Sequence, residues 1–237
     1  MNQPFHFKQF SVSQDQCAMK VGTDGVLLGA WAGKNSDPYS ILDVGAGTGL
    51  ISLMLAQRFT DAQIEAIEIE DLAYEQCVEN FENSEWSNRL FCYHCSFNQF
   101  VEEWDESYDL IVSNPPFFTE DTFSNDEQRD LARFNSSLPF SQLFEGAQKL
   151  LATEGRFVII APILLEEELL ILGQRFNLFA VKKLYVKGNP STPFKRILLE
   201  FQRKNSAIET SELTIENTRH NYTEDYKNLT KDFYLKF

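Results

Sequence analysis

The chain has 237 residues, 43% hydrophobic and 24% charged, with a formal net charge of −14 at pH 7. That length suits one globular domain with a full core and small additions, and no second catalytic domain is expected. The opening Met1-Asn2-Gln3-Pro4-Phe5-His6-Phe7-Lys8 lacks the basic-then-apolar layout of a signal peptide, and the longest apolar run, Phe157 to Leu165, is far short of a membrane span, which points to the cytoplasm.

In chain order, Phe5, Phe7, Phe10 and Val12 mark a short extended segment. Lys20-Val21-Gly22-Thr23-Asp24-Gly25 leads into the apolar run Val26 to Trp31, a helix for which Thr23 or Asp24 is placed as N-cap. From Ser40 onward strands and helices alternate. Hydrophobic periodicity predicts strands at 40–44, 63–69, 89–93, 108–112, 155–161, 179–187 and 195–203, and helices at 48–58, 71–83, 140–151 and 164–176. The expected fold is α/β and Rossmann-like, a seven-stranded, mostly parallel sheet with helices on both faces, closed by an antiparallel hairpin around Gly188-Asn189-Pro190. We divide it into an N-terminal extension and helix (1–35), the core (36–205) and a C-terminal segment (206–237). Phe118 to Asn135 has no clear period and reads as a mobile loop over a site.

Between the buried strand Ile41-Leu42-Asp43-Val44 and the next helix lies Asp43-Val44-Gly45-Ala46-Gly47-Thr48-Gly49. Side chains at Gly45, Gly47 and Gly49 would intrude on a ligand approaching the backbone. Glu68, at the end of the following strand, is placed to accept both ribose hydroxyls of a nucleotide. NAD and S-adenosylmethionine both suit this arrangement. Asp43 favours the second, because a carboxylate gains nothing beside a pyrophosphate but is acceptable beside a sulfonium and a zwitterionic methionine group.

Ser113-Asn114-Pro115-Pro116-Phe117 follows the apolar strand Tyr108 to Val112, so it falls at a carboxyl edge of the sheet, where doubly wound folds bind ligands. The Asn114 side-chain oxygen and the Pro115 carbonyl can accept hydrogen bonds from a planar NH2, and Phe117 offers a face for stacking. Two prolines keep the turn stiff. Methyl transfer to such an amine is the chemistry these groups suit.

Cys17, Cys77, Cys92 and Cys95 form no disulfide framework, and the lone Cys92-Tyr93-His94-Cys95 pair lacks the second pair that structural zinc requires, so no metal is expected. Charge is unevenly distributed. Residues 61–130 carry nineteen Asp and Glu against Arg89 and Arg129, whereas within 182–204 Lys182, Lys183, Lys187, Lys195, Arg196, Arg203 and Lys204 face only Glu200. That cluster is either a phosphate-binding face or a solvated hairpin with lysine-protected edges. Arg129 and Arg133 are further phosphate contacts, or partners of Asp126, Glu127 and Asp130.

The combined motifs resemble class I S-adenosylmethionine-dependent methyltransferases of the amino-methylating group. More narrowly, the chain resembles the bacterial tRNA1(Val) (adenine37-N6)-methyltransferase family almost end to end. Besides the glycine loop and Asn114-Pro115-Pro116-Phe117, the resemblance runs through Phe7-Lys8-Gln9-Phe10, the block Cys17 to Trp31, Lys195-Arg196-Ile197-Leu198-Leu199, and Tyr222-Thr223-Glu224 to Phe233-Tyr234-Leu235. It implies that Asp43, Gly45, Gly47 and Gly49 border S-adenosylmethionine together with Lys20, Thr23 and Asn114, that Glu68 holds its ribose, and that Asn114 to Phe117 hold the target adenine. It further implies a tRNA partner, for which Lys195, Arg196 and Arg133 are the candidate contacts on the grounds of charge; a monomer is expected. The chain departs from the family pattern in two places. Phe117 stands where Tyr is frequent, and Cys95-Ser96-Phe97 stands where many relatives place an Asp, leaving Ser96 to contact the cofactor adenine. Protein glutamine methyltransferases and rRNA adenine N6-methyltransferases use the same tetrapeptide, although the former carry a helical domain for which the forty or so residues before Asp43 leave no room. A non-enzymatic assembly factor binding S-adenosylmethionine or RNA is the remaining alternative.

Overall fold

The computed structural model describes residues 3–17, 19–116 and 138–237. Phe117, Arg129, Arg133 and the expected loop Phe118 to Asn135 lie outside the described residues.

Strands β3 (Ser40–Val44), β4 (Gln63–Glu68), β5 (Leu90–His94), β6 (Tyr108–Ser113), β7 (Leu151–Pro162), β8 (Phe179–Lys187), β9 (Arg196–Gln202) and β10 (Glu209–Thr214) form one sheet in the order β10-β8-β9-β7-β6-β3-β4-β5. All neighbours are parallel except β9, which runs antiparallel to both β7 and β8. The seven expected strands are present. The sheet has eight, because Glu209–Thr214 pairs in register with Lys182–Lys187; its burial pattern is almost wholly exposed, so no hydrophobic run marked it.

Helices α1 (Thr23–Trp31), α2 (Leu50–Arg58) and α3 (Asp71–Glu82) pack over one core, and α4 (Phe97–Glu103), α5 (Phe140–Leu150) and α6 (Glu166–Arg175) over the other. α1 is apolar all round and buried from Gly25 to Trp31, as expected for a helix covered on every side. Its N-cap is Gly22, with no side-chain capping bond, not Thr23 or Asp24. Those two residues already lie in the first turn, and Asp24 is held elsewhere.

α4 was not predicted. Its signal is Ser96-Phe97-Asn98-Gln99, a capping box in which the Ser96 hydroxyl accepts from the Gln99 amide and the Gln99 side chain accepts from the Ser96 amide. The two ends of the chain clasp each other. The hairpin β1 (Phe5–His6) and β2 (Ser11–Val12) sets Phe7 between Phe10 and Tyr234, and the Lys8 ammonium donates to the Phe237 carbonyl at 2.8 Å. After β10 come a small hairpin, β11 (Glu216–Thr218) and β12 (Asn221–Tyr222), and α7 (Glu224–Thr230), capped by Thr223 and seated on α1. Among the described residues no helix is long and apolar enough to cross a membrane.

Candidate functional site

Strand order reverses between β3 and β6, and a cleft of about 520 Å³ opens there at the carboxyl ends of the strands. One wall is the turn after β3. The Gly45 and Ala46 amides both donate to the Ile67 carbonyl, at 2.9 and 3.0 Å, and the Gly47 amide donates to Glu68 Oε2 at 2.8 Å. Gly45 (φ 77°) and Gly47 (φ 55°) are left-handed, and a Cβ on either would meet no protein atom within 4 Å, because both face the open cleft. Gly49 differs. Its φ is 76°, but a Cβ there would lie 2.6 Å from Phe81 Cε1 and 2.9 Å from Cys77 Sγ, so Gly49 is a packing glycine against α3 and does not border the cleft.

Asp43 is also not a lining residue. It is fully buried beneath the loop, where Oδ2 accepts from the Ser52 amide at 3.2 Å and the Ser52 hydroxyl at 2.7 Å. Ser52 is the third residue of α2, so Asp43 satisfies one of the helix's unpaired N–H groups from outside, as a capping side chain does. Burial raises its carboxyl to about 7 against the lowering effect of the Ser52 bonds, and Oδ1 has no partner among the described residues.

Glu68 lies where expected, at the end of β4 and nearly buried, but its carboxylate is already engaged: besides Gly47, the Ile69 and Glu70 amides donate to Oε1, each at 2.9 Å. It joins the glycine loop to the β4 end. Ile69 beside it is 51% exposed, an apolar surface at the rim that periodicity did not reveal. The Ser96 hydroxyl donates to Gln99 Oε1 at 2.8 Å within the α4 cap, and the residue is not among those lining the cleft. Burial, with Glu68 and Glu70 nearby, pushes the Cys17 thiol up to about 12, so it stays protonated at neutral pH. No group of three or more metal-ligating side chains occurs among the described residues.

The opposite wall is Asn114-Pro115-Pro116, joined by Lys20 and Thr23 from the α1 side. The Ser113 hydroxyl donates to the Val44 carbonyl at 2.9 Å, tying the end of β6 to the end of β3 and setting where Asn114 leaves the sheet. The Asn114 amide reaches over Gly25 and has no hydrogen-bond partner among the described residues. Apolar floor is supplied by Leu50 and Ile51 of α2. Asp24, the one carboxylate among the described lining residues, accepts from Arg196 Nε at 2.8 Å. Asn80 of α3, buried, donates to the Thr48 and Ser13 carbonyls and accepts from the Ser13 amide, fixing the N-terminal segment against the loop. Sequence reading missed Ser52, Asn80 and Ser113 because each acts through a hydrogen bond that no local pattern marks, to Asp43 beneath the loop for Ser52 and to partners more than thirty residues away for the other two.

The cationic cluster of 182–204 is largely engaged internally. Lys182 pairs with Glu200 at 3.2 Å, Lys183 with Glu166 at 2.8 Å, and Lys187 lies 4.8 Å over the Phe194 ring. Arg203 donates to the Gln148 and Leu151 carbonyls at the end of α5. Lys195 and Lys204 are exposed without a side-chain partner among the described residues. Lys8, held by tail carbonyls, borders a separate polar hollow with Arg58 and Phe59 at the opposite edge of the sheet.

A mostly parallel Rossmann-like sheet with a glycine loop open to a nucleoside-sized cleft and an Asn-Pro-Pro turn across from it defines an S-adenosylmethionine-dependent methyltransferase. A family model described as "Methyltransferase small domain" matches residues 26–184. The chain belongs to that family and, within it, to the tRNA1(Val) (adenine(37)-N6)-methyltransferases: it is 55% identical to the protein of that name from Christiangramia forsetii, over 99% of both chains, and 56% identical to that from Flavobacterium psychrophilum, over 98% of this chain and 99% of the other. A predicted O-methyltransferase of Agrobacterium tumefaciens shares the fold at 17% identity, with a TM-score of 0.71 over 89% of this chain and 96% of that one.

Proposed function

We propose that this protein methylates N6 of an adenine in tRNA, adenine 37 of tRNA1(Val), using S-adenosylmethionine in the cytoplasm. The reading rests on the Asn114 amide, without a hydrogen-bond partner among the described residues and standing across the cleft from the glycine loop, together with the names of its full-length relatives.

The residues fit the cofactor. Gly45 and Gly47 leave backbone open where a nucleoside or amino-acid group would lie, Glu68 offers a buried carboxylate at the adjoining strand end, and Lys20 and Thr23 add polar groups on the α1 side. When bound, S-adenosylmethionine supplies an electrophilic methyl group. The chain's own residues do the rest. Asn114 Oδ1 and the Pro115 carbonyl accept the two N6 protons, which turns the amine lone pair toward the cleft. Ser113 holds that turn against β3, and the prolines restrict its motion. Phe117 and Pro116 receive the unstacked base. Asp43 is shut beneath the loop and Asp24 is held by Arg196, so the proton released from the methylated nitrogen passes to water rather than to a carboxylate of the cleft.

Purified protein is to be incubated with labelled cofactor and total tRNA from a strain lacking the gene, followed by nucleoside analysis. N6-methyladenosine in tRNA1(Val) is the expected product. Label confined to protein would favour a glutamine methyltransferase, and label in rRNA would move the substrate.

A further inference from the structure

We propose that the tip of the β11–β12 hairpin, Arg219-His220, is a second RNA-docking point, which with Lys195 makes the β8–β10 end of the sheet the face on which the tRNA lies. The inference rests on the RNA-methylating function above and adds the direction of approach.

The charge that looks scattered in sequence is sorted by topology. β4, α3 and β5 lie on one side of the cleft, and residues 61–94, which build them, hold nine Asp and Glu with Arg89 as the sole Lys or Arg. Arg89 itself points inward, donating to the Ala56, Phe59 and Ala62 carbonyls. A polyanion is repelled from that half. On the other side are β9, β8 and β10, and residues 179–237 hold eleven Lys and Arg against seven Asp and Glu.

Only cations at the catalytic edge can touch RNA whose adenine is in the cleft. β8 and β10 run parallel to β6, so Lys187 and Thr214, paired in register, lie at that edge, and antiparallel β9 begins there. Lys195 immediately precedes β9; its amide donates to the Val186 carbonyl and its carbonyl accepts from the Ile163 amide just past β7. Beyond β10, the Ile215 and Glu216 amides donate to the Lys187 and Gly188 carbonyls, so the small hairpin is stacked against the β8–β9 turn. Its tip is held in shape: Thr218 pairs with Asn221, His220 takes φ 64°, and the His220 amide donates to Glu216 Oε1 at 3.2 Å. Arg219 and His220 are exposed, and the Arg219 guanidinium has no partner among the described residues. Glu216 is the nearby acid and is turned to the backbone.

Strand spacing sets the reach. β9 is two strands from β6 and β10 is four, about 10 and roughly 20 Å at the usual separation of adjacent strands. At about 3.4 Å of rise per stacked nucleotide, Lys195 meets a phosphate roughly three nucleotides from the target adenine and Arg219 one roughly six away. Lys195 is therefore required by short and long substrates alike, and Arg219 only by long ones.

The test measures binding of two RNAs, an anticodon stem-loop and a single-stranded oligonucleotide of roughly nine nucleotides centred on the same adenine, across a salt series, with wild-type protein, Arg219→Glu, Arg219→Gln and Lys195→Glu. For the stem-loop, Arg219→Gln should weaken binding several-fold and lower the log–log salt slope by about 0.7–0.9, with a larger affinity loss for Arg219→Glu. For the short oligonucleotide only Lys195→Glu should matter. Melting temperature and cofactor affinity should be unchanged at both positions. Equal losses on both RNAs for Arg219→Gln, or none on the stem-loop while wild-type protein still methylates tRNA, would overturn the docking face alone. Failure of the wild-type protein to bind or methylate RNA would overturn the function and the face together.

Discussion

Gly47 and Gly49 carry the same sequence signature, and the structure predicts that they fail in opposite ways when replaced by alanine. At Gly49, φ is 76° and the new Cβ would lie 2.6 Å from Phe81 and 2.9 Å from Cys77, both on the buried face of α3. Holding alanine in a left-handed conformation costs about 1–2 kcal/mol, and forcing a methyl group into an already packed site adds about 1–3 kcal/mol. Gly49→Ala should therefore lose about 2–5 kcal/mol, a fall of roughly 4–20 °C in Tm for a chain of this size. At Gly47, φ is 55° and the Cβ meets nothing within 4 Å, so only the conformational cost applies, about 1–2 kcal/mol. Its methyl group, however, projects toward the cleft, so cofactor affinity should collapse. Thermal or urea melts with calorimetric titration of S-adenosylmethionine separate the two outcomes. Gly49→Ala melting with the wild type, or Gly47→Ala binding cofactor normally, would refute the division of the loop into a packing glycine and a ligand-facing one.

Asn114→Ala should lower kcat by more than tenfold with cofactor affinity held within a few-fold, because a buried acceptor lost to the substrate costs about 1–3 kcal/mol beyond any misalignment; single-turnover methylation of tRNA checks it. Glu68→Gln should weaken both cofactor binding and stability, since the same carboxylate accepts three backbone amides at the loop and charge-assisted bonds contribute about 1.5–3 kcal/mol; an unaltered melt would contradict this double role. Asp43 has a folded pKa raised from 3.8 to about 7, so between those values the folded state binds more protons than the unfolded one and stability falls as pH rises. Asp43→Asn, which keeps an acceptor for Ser52, should flatten that part of the stability–pH curve, and urea titrations from about pH 4 to 7 would show whether it does.

What depends on neighbours in the chain is legible from residue order. Ile41, Leu42 and Val44 are apolar because parallel strands are covered on both faces; the glycines after Asp43 mark a tight turn at the strand's carboxyl end; and Asn114 follows the apolar strand Leu110 to Val112, so both fall at one edge of the sheet. The capping box at Ser96 is also legible there, in Ser96 and Gln99 three residues apart. Other assignments needed the tertiary structure, because they depend on what burial and register bring together. Asp43 meets Ser52 only once α2 returns over β3, and Arg196 meets Asp24 across 172 residues, so a carboxylate placed by the sequence beside the cofactor becomes a helix support and a cation assigned to RNA also holds a carboxylate of the cleft. Gly49 differs from Gly47 only through Phe81 and Cys77 on another helix. The cluster at 182–204 is engaged or exposed residue by residue, according to whether a strand pairing sets a carboxylate such as Glu200 opposite Lys182 or leaves Lys195 at an open edge. Charge counts survive any fold, but which charges remain available to a partner is decided by the packing.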